Sequence, residues 1–313
     1  MDQYFITEVL NETLQISSSQ GAAIIASLSL IPNLFVIYLI LTTISLRTLS
    51  NIIIGSSCIA SILLSLILIS TEIIYRFGRD PVRRFLVSCI FGKSAEICFI
   101  GIFNLHIVII TLQRYYAVNY PYKYQRFISQ RKLVIMILVV IWMFPICVVY
   151  IMLLIHLLVS KVTCIEWSLK LYDTISYNAV VLPLMFFFPP IAALLIYTTL
   201  VCKTHLLFHK SQHTVVPSTG ESANNTPRAL KKSIIQIGAI LGVSIVAFFP
   251  FFILYICLIS TKNNTLIVPV ITTYLISLTY LIVHPIFVIF FTQNLKREFI
   301  KRCKKCYSGK PKP

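Results

Sequence analysis

Three ionisable residues lie inside long apolar stretches of this sequence: Glu96, His106 and His284. An ionisable side chain is costly to bury in such surroundings, so each is a candidate functional group. The Glu96 carboxylate can attract a cation, and an imidazole can exchange a proton near neutral pH. We expect both histidines to be neutral and hydrogen-bonded among helices, with proton sensing as the alternative.

The composition indicates the kind of protein in which these residues act. The chain has 313 residues, of which 58% are hydrophobic and 12% are charged, whereas a soluble domain carries roughly 25% charged residues. Its net charge of +17 would suit nucleic acid only if the basic residues lay among exposed aromatics on a folded surface. They lie between apolar runs instead. We therefore expect one membrane domain and no nucleic-acid partner.

Seven stretches of the chain are long and apolar enough to cross a hydrocarbon core, which takes about 20 helical residues. Backbone polar groups in lipid must be satisfied within the segment, which favours helices over strands. The sequence thus predicts an all-α membrane protein, a seven-transmembrane helix bundle with a short amphipathic C-terminal helix. In chain order the stretches are Ala22–Thr43, Ile52–Tyr75, Cys89–Val118, Leu133–Leu158, Tyr177–Cys202, Ile234–Ile259 and Leu266–Phe291.

The distribution of basic residues predicts the orientation of the bundle. Most of the 27 Lys and Arg residues fall on one side, with a dense group between Lys296 and Lys305. The positive-inside rule makes that side cytosolic, and we expect the basic tail from Lys296 to Lys305 to attract anionic membrane lipids of the inner leaflet. We expect an extracellular N-terminus over 1–21, a membrane domain over 22–291 and a cytosolic tail over 292–313, in the plasma membrane. No basic segment precedes the first stretch, so we expect an anchor rather than a cleaved signal peptide.

Two cysteines fall on the predicted outer side, Cys89 at the top of the third stretch and Cys164 in the loop after the fourth. That side is oxidising, where disulfides form and persist. We predict that they pair and hold this loop over the helix bundle.

Three further residues are candidate modification sites. Asn11 opens a glycosylation sequon in the predicted extracellular segment. Cys303 and Cys306 lie in the basic amphipathic tail, a setting typical of palmitoylation. The alternative for these two is a pair of ordinary reduced cysteines, and no further ligands for a metal lie near them.

The motifs of the stretches, taken in order, resemble those of rhodopsin-like (class A) G-protein-coupled receptors. The resemblance covers nearly the whole chain. Its residues are Asn33, the triplet Gln113-Arg114-Tyr115, Trp142, Pro189 with Tyr197, Phe248-Phe249-Pro250, the run His284-Pro285-Ile286-Phe287-Val288, and the segment from Asn294 to Cys303.

The resemblance implies a ligand pocket in the outer half of the bundle and a switch in its inner half. A cationic ligand, an amine or a peptide, is expected near Glu96, although this acid can instead pair with an outer arginine such as Arg84. The pocket is expected to contain Glu96, Phe251, Phe252, Tyr255 and Tyr274. The switch and the contact with a heterotrimeric G protein are expected to use Arg114, Tyr115, Tyr197, Phe248, Pro250, His284 and Pro285.

Several positions depart from the family pattern. Ser61 and His284 stand where the family has an aspartate and an asparagine that help hold a sodium ion, so a sodium site is not expected. Gln113 and Leu230 replace the acidic partners of Arg114, and Val288 replaces the tyrosine that ends the helix-seven motif. Because such ion pairs favour the inactive state, their loss predicts raised basal signalling, unless other contacts restrain the switch.

Other classes of membrane protein fit less well. No His-Glu-x-x-His or Gly-x-Ser-x-Gly motif is present, so no enzyme is expected. A transporter or channel would be expected to show repeats or several membrane-embedded charges. The seventh stretch has no lysine to hold retinal, so we expect no cofactor. Within the receptor class, a chemosensory receptor for environmental ligands is the alternative to a transmitter-like receptor.

Overall fold

The computed structural model describes residues 2–77, 92, 94–128, 131–160, 180–181, 183–213, 222–261 and 263–307. Within these ranges the regular elements are all helical. We number the long helices α1 to α8; they are α1 Asp2–Thr42, α2 Leu49–Phe77, α3 Ser94–Asn119, α4 Arg131–Ser160, α5 Phe188–His213 after a π turn over Pro183–Phe187, α6 Ser222–Thr261, α7 Ile267–Leu278 continued by Tyr280–Phe291, and α8 Gln293–Tyr307. A short inner helix spans Pro121–Ile128.

Seven of these helices are long and apolar enough to span a membrane, which confirms the predicted bundle. The apolar spans agree with the predicted stretches to within a few residues at most ends. Two helices extend well beyond their apolar spans: α1 starts at Asp2 and its span at Ser18, and α6 starts at Ser222 and its span at Ile234. Part of the predicted extracellular segment is therefore helical.

The third helix is central to the bundle. Its apolar span is the most buried of the seven, and it packs against α2, α4, α5 and α6. Glu96, His106 and Arg114 all lie on α3, near its N-terminal end, its middle and its C-terminal end, which are the outer, middle and inner levels in the predicted orientation. The rigid central helix thus fixes the depth of all three groups.

Two buried asparagines satisfy carbonyls that prolines leave without a partner. A proline has no N–H for the carbonyl four residues earlier, and Pro285 and Pro189 each create such a vacancy, at Leu281 and Met185. The Asn33 amide donates to the Leu281 carbonyl at 2.9 Å and so joins α1 to α7. The Asn104 amide donates to the Met185 carbonyl at 2.8 Å and joins α3 to the π turn that precedes α5. The π turn before α5 and the segment of α7 around Pro285 are therefore each tied to a neighbouring helix.

The last helix is fastened to the inner end of α1. Leu295 is fully buried, and the Phe299 ring meets Phe35 edge-on at 5.7 Å between centroids. Arg302 donates to the Thr42 hydroxyl at 2.7 Å. These contacts hold one face of α8 against the bundle and leave its opposite face outward.

Candidate functional site

The outer end of α3 carries a buried carboxylate beside a cluster of aromatic rings. Glu96 is 8% exposed, and its Oε1 accepts a hydrogen bond from the Tyr274 hydroxyl at 3.0 Å. The Tyr274 ring lies 5.6 Å from Phe251, which stacks on Tyr255 at 5.8 Å. A carboxylate that is hydrogen-bonded to one tyrosine of an aromatic cluster is a setting in which an ammonium or guanidinium group can gain both charge pairing and cation–π attraction.

Phe252 is more completely buried than the other four predicted pocket residues. It is 2% exposed and packs against Phe186, with 3.9 Å between ring centroids. Phe248, at the predicted switch, lies 6.4 Å from Phe252 and 5.1 Å from Tyr280 of α7. Because the Phe251 ring lies 5.0 Å from Phe252, a continuous chain of rings runs from the predicted pocket residues to Phe248 of the predicted switch.

A hydrogen-bonded group in the middle of the bundle links three helices through Ser56. The His106 ring contacts the Ile102 carbonyl through Nδ1 at 2.7 Å and the Ser56 hydroxyl through Nε2 at 3.0 Å. Because a carbonyl only accepts, Nδ1 carries a hydrogen, and in a neutral ring Ser56 then donates to Nε2. Trp142 in turn donates its indole N–H to the Ser56 oxygen at 2.9 Å. These contacts suit a neutral His106, as expected, and join α2, α3 and α4.

The region where the family holds sodium contains hydroxyls rather than a carboxylate. Ser61 donates to the Ser57 carbonyl of its own helix at 3.2 Å, and Ser65 meets Ser29 of α1 at 2.6 Å. His284 is 4% exposed, and its Nδ1 has no hydrogen-bond partner within the described part of the chain. The described carboxylates, of Glu72, Glu96 and Glu298, lie near the helix ends or on α8.

The inner end of α3 uses neutral contacts where the family has ion pairs. Gln113 is 7% exposed and donates its amide to the Tyr124 hydroxyl of the short inner helix at 2.7 Å. Arg114 forms no ion pair with any carboxylate whose side chain the structure describes. Beside it, Lys203 of α5 donates to the Tyr115 hydroxyl at 2.9 Å.

Helix α6 is held against its neighbours at two inner contacts. The Tyr197 ring of α5 packs directly on Gly238, where the absent side chain permits the close approach. Two residues earlier on α6, Gln236 donates its amide to the Thr292 hydroxyl, between α7 and α8, at 2.7 Å. Both contacts hold the inner end of α6 close to the bundle. Pro250 lies in α6 above them, on its exposed face.

The family model described as 7 transmembrane receptor (rhodopsin family) matches residues 32–287, which is most of the chain. The chain belongs to this family. The resemblance carried by the helix motifs is thereby confirmed. No individual curated protein matches the sequence.

Membership defines the receptor in general terms. It is a non-enzymatic signal transducer that crosses the plasma membrane several times, and the family's general partners are an extracellular ligand and an intracellular G protein. The enzyme class is thereby excluded, as predicted. The chemical class of the ligand is the subject of the proposal below.

The predicted covalent modifications fall mostly outside the described residues. Cys89 and Cys164 both lie outside them, so the disulfide stays a prediction. The side chains of Asn11 and Cys306 are likewise not described, although their backbones lie in α1 and α8. Cys303 is exposed on α8 as a free thiol, which leaves palmitoylation of the receptor a prediction as well.

Several residues of this receptor that make specific contacts were not predicted from the sequence. Asn104 and Ser56 are ordinary polar residues in apolar stretches, and nothing in the sequence shows which carbonyl or ring each will meet. A signal was present for Asn104 alone, because Pro189 must leave a carbonyl in α5 without its helical partner. Gln236 and Thr292 are 56 residues apart and carry no motif.

Proposed function

We propose that this receptor binds a cationic ligand, an amine or a basic peptide, beside Glu96 and transmits the signal to a G protein at the inner end of α3. The observation that carries the proposal is the Glu96–Tyr274 hydrogen bond of 3.0 Å within an aromatic cluster. The Tyr274 hydroxyl fixes the direction of the carboxylate. The Tyr274 ring in turn contacts Phe251, and Phe251 stacks on Tyr255.

The chemistry of this cluster favours a cation over a neutral or anionic ligand. A carboxylate that is largely removed from water gains strongly from a nearby positive charge, because the local dielectric is low. Aromatic faces add cation–π attraction, which is worth about 2 kcal/mol when the cation is desolvated. A buried polar group among aromatic side chains is also the usual composition of a small-ligand site.

The test is the substitution Glu96→Gln in cells that report second-messenger output. Glutamine preserves the size of the side chain and an oxygen for the Tyr274 hydroxyl, but it removes the charge. The variant is tested against a panel of amines and basic peptides. We expect the potency of an active compound to fall at least about 100-fold, because a buried charge pair is worth about 3 kcal/mol. An unchanged dose response would reject the cationic ligand.

Glu72→Gln is the matched control. Glu72 is also a buried glutamate near the outer end of its helix, but it pairs with Arg76 at 2.5 Å and accepts a hydrogen bond from Ser19. It therefore lies in a separate contact between α1 and α2, and its loss should leave the potency of the ligand within about threefold. Tyr274→Phe should lower potency about fivefold, the worth of one hydrogen bond of about 1 kcal/mol.

The orientation of the receptor and its coupling form the second part of the proposal. The basic tail and the basic inner loops support an extracellular N-terminus. An epitope at the N-terminus should then be accessible to antibody on intact cells, and one at the C-terminus only after permeabilisation. Arg114→Ala, at unchanged surface abundance, should abolish agonist-stimulated output.

A chemosensory receptor for environmental amines would use the same pocket chemistry. The two alternatives differ in where the receptor is expressed rather than in how Glu96 acts. Expression confined to sensory epithelium would favour the chemosensory alternative, and expression in the nervous system or other internal tissues would favour a transmitter-like or peptide receptor.

A further inference from the structure

A groove of about 480 Å³ lies outside the bundle, where α6, the end of α7 and α8 meet. Four of its lining residues follow one stripe of α8, because they recur at the spacing of a helix face. They are Gln293, Lys296, Arg297 and Ile300. This is the face of α8 opposite to the one that holds Leu295 and Phe299 against the bundle.

The groove is positively charged, and its charges are not neutralised within the described residues. The one acid of α8, Glu298, pairs with Arg302 at 3.1 Å, and Arg302 is turned toward Thr42 of α1. Lys296 and Arg297 are both exposed and take part in neither of the described ion pairs. A lysine beside an arginine, with no acid between them in the groove, is a setting for a phosphate group.

The remaining walls of the groove are apolar and face outward. Ile235 of α6 is 50% exposed, Phe290 of α7 is 56% exposed, and Ile300 of α8 is 40% exposed. At the inner end of a membrane bundle these side chains meet acyl chains, while the basic pair on α8 is at the level of the headgroups. The groove thus combines the two surfaces that a phospholipid presents.

We propose that this groove is a binding site for one anionic phospholipid of the inner leaflet. Lys296 and Arg297 hold its phosphate, and an acyl chain lies along Ile235 and Phe290. A free phosphate would use the basic pair but leave the apolar walls uncovered. The site is distinct from the pocket around Glu96 and does not depend on the class of ligand bound there.

The groove spans three helices. Ile235 adjoins Gln236, whose amide bonds to Thr292 between α7 and α8. A lipid in the groove touches α6 on one side and α7 with α8 on the other, so the site is complete only while α6 is close to α7.

The experiment measures lipid binding to the full-length receptor in neutral detergent by native mass spectrometry. The lipid is phosphatidylinositol bisphosphate, with phosphatidylcholine as the neutral comparison and soluble inositol trisphosphate as a headgroup without chains. Detergent removes the surface potential of a membrane, which would otherwise attract every basic residue of the inner face. Binding in detergent is also independent of orientation and of signalling.

The variant Lys296→Gln with Arg297→Gln removes the basic pair. A direct charge-assisted contact with a phosphate is worth at least about 1 kcal/mol, so the loss of two should weaken binding of the bisphosphate about thirtyfold or more. Phe290→Ala removes an apolar wall and should weaken binding of the lipid about fivefold without affecting the soluble headgroup. Phosphatidylcholine should bind the wild-type receptor much more weakly than the bisphosphate.

The control removes two charges elsewhere on the inner face, by Lys123→Gln with Lys132→Gln. Both lysines are exposed, and neither lines the groove, so the control should change binding less than about threefold. Equal weakening by the two double variants would overturn the proposal in favour of general attraction. Binding of inositol trisphosphate as tight as that of the lipid would overturn it in favour of a phosphate site, and a bisphosphate no better than phosphatidylcholine would reject the site altogether.

Discussion

The Gln236 amide donates to the Thr292 hydroxyl at 2.7 Å and joins the inner end of α6 to the junction between α7 and α8. Gln236 is 7% exposed, so its amide has little access to water. An outward movement of the inner end of α6 in activation would break the Gln236–Thr292 bond. The contact thus belongs to the closed state and favours it.

Thr292→Val should therefore raise basal signalling. Valine keeps the shape of threonine but cannot accept from the amide, and a neutral hydrogen bond is worth about 1 kcal/mol. Basal second-messenger output at matched surface abundance should rise up to about fivefold. Thr198→Val is the control, since that hydroxyl is exposed and bonds only to Leu195 of its own helix. Output that rises equally in both variants would contradict the assignment.

Adding an acid beside Arg114 should have the opposite effect. Gln113→Glu places a carboxylate in the position of the family's acidic residue, without changing the length of the side chain. Because the charge can pair with Arg114 in the closed state, basal output should fall severalfold. Tyr124→Phe breaks the Gln113–Tyr124 bond of 2.7 Å without adding charge, and it should not lower output. An unchanged output in Gln113→Glu would mean that other contacts already restrain the switch.

The bundle could be predicted from the sequence because apolar length and the demands of the buried backbone leave few alternatives. Asn33 and Trp142 also had recognisable places in the family pattern. The contacts of Trp142 could not be predicted, since its indole bonds to Ser56, which carries no motif of its own. Hydrogen-bond partners depend on how helices rotate and cross, and apolar patterning alone does not fix either.

The pocket illustrates the same limit at Glu96. The sequence shows a leucine, Leu278, where amine receptors carry the tyrosine that supports the acid. In the structure this support comes from Tyr274, one turn earlier on α7. A one-turn displacement keeps the same helix face, so the residue type was visible in the sequence but its role was not.

Ser56 should contribute more to stability than an ordinary helical serine. Ser56→Ala leaves both the Trp142 N–H and the His106 Nε2 without their partner, and each uncompensated buried polar group costs about 1 to 3 kcal/mol. We expect a lower thermal unfolding midpoint for the purified receptor in detergent. Ser70→Ala is the control, because Ser70 is exposed and donates only to Leu66 of its own helix. Equal midpoints for the two variants would show that the group linking α2, α3 and α4 contributes little.

Tyr197 approaches Gly238 so closely that the stability cost of a side chain at position 238 should depend on the Tyr197 hydroxyl. A Cβ at Gly238 would lie 3.0 Å from Tyr197 Cζ and closer still to the hydroxyl oxygen. Gly238→Ala should therefore destabilise the receptor by about 1 to 3 kcal/mol, the usual cost of overpacking. In a Tyr197→Phe background, where the hydroxyl is absent, the same change should cost less than half as much.

Gly242 provides the matched control for this contact. It lies one turn further along α6, and a Cβ there would have no neighbour within 4 Å. Gly242→Ala should stabilise the helix by about 0.5 to 1 kcal/mol, because alanine loses less backbone entropy than glycine on folding. Thermal unfolding midpoints of all the variants in one detergent check the prediction. If Gly238→Ala were as harmless as Gly242→Ala, or if Tyr197→Phe did not relieve it, the inner ends of α5 and α6 would be packed less closely than the structure shows.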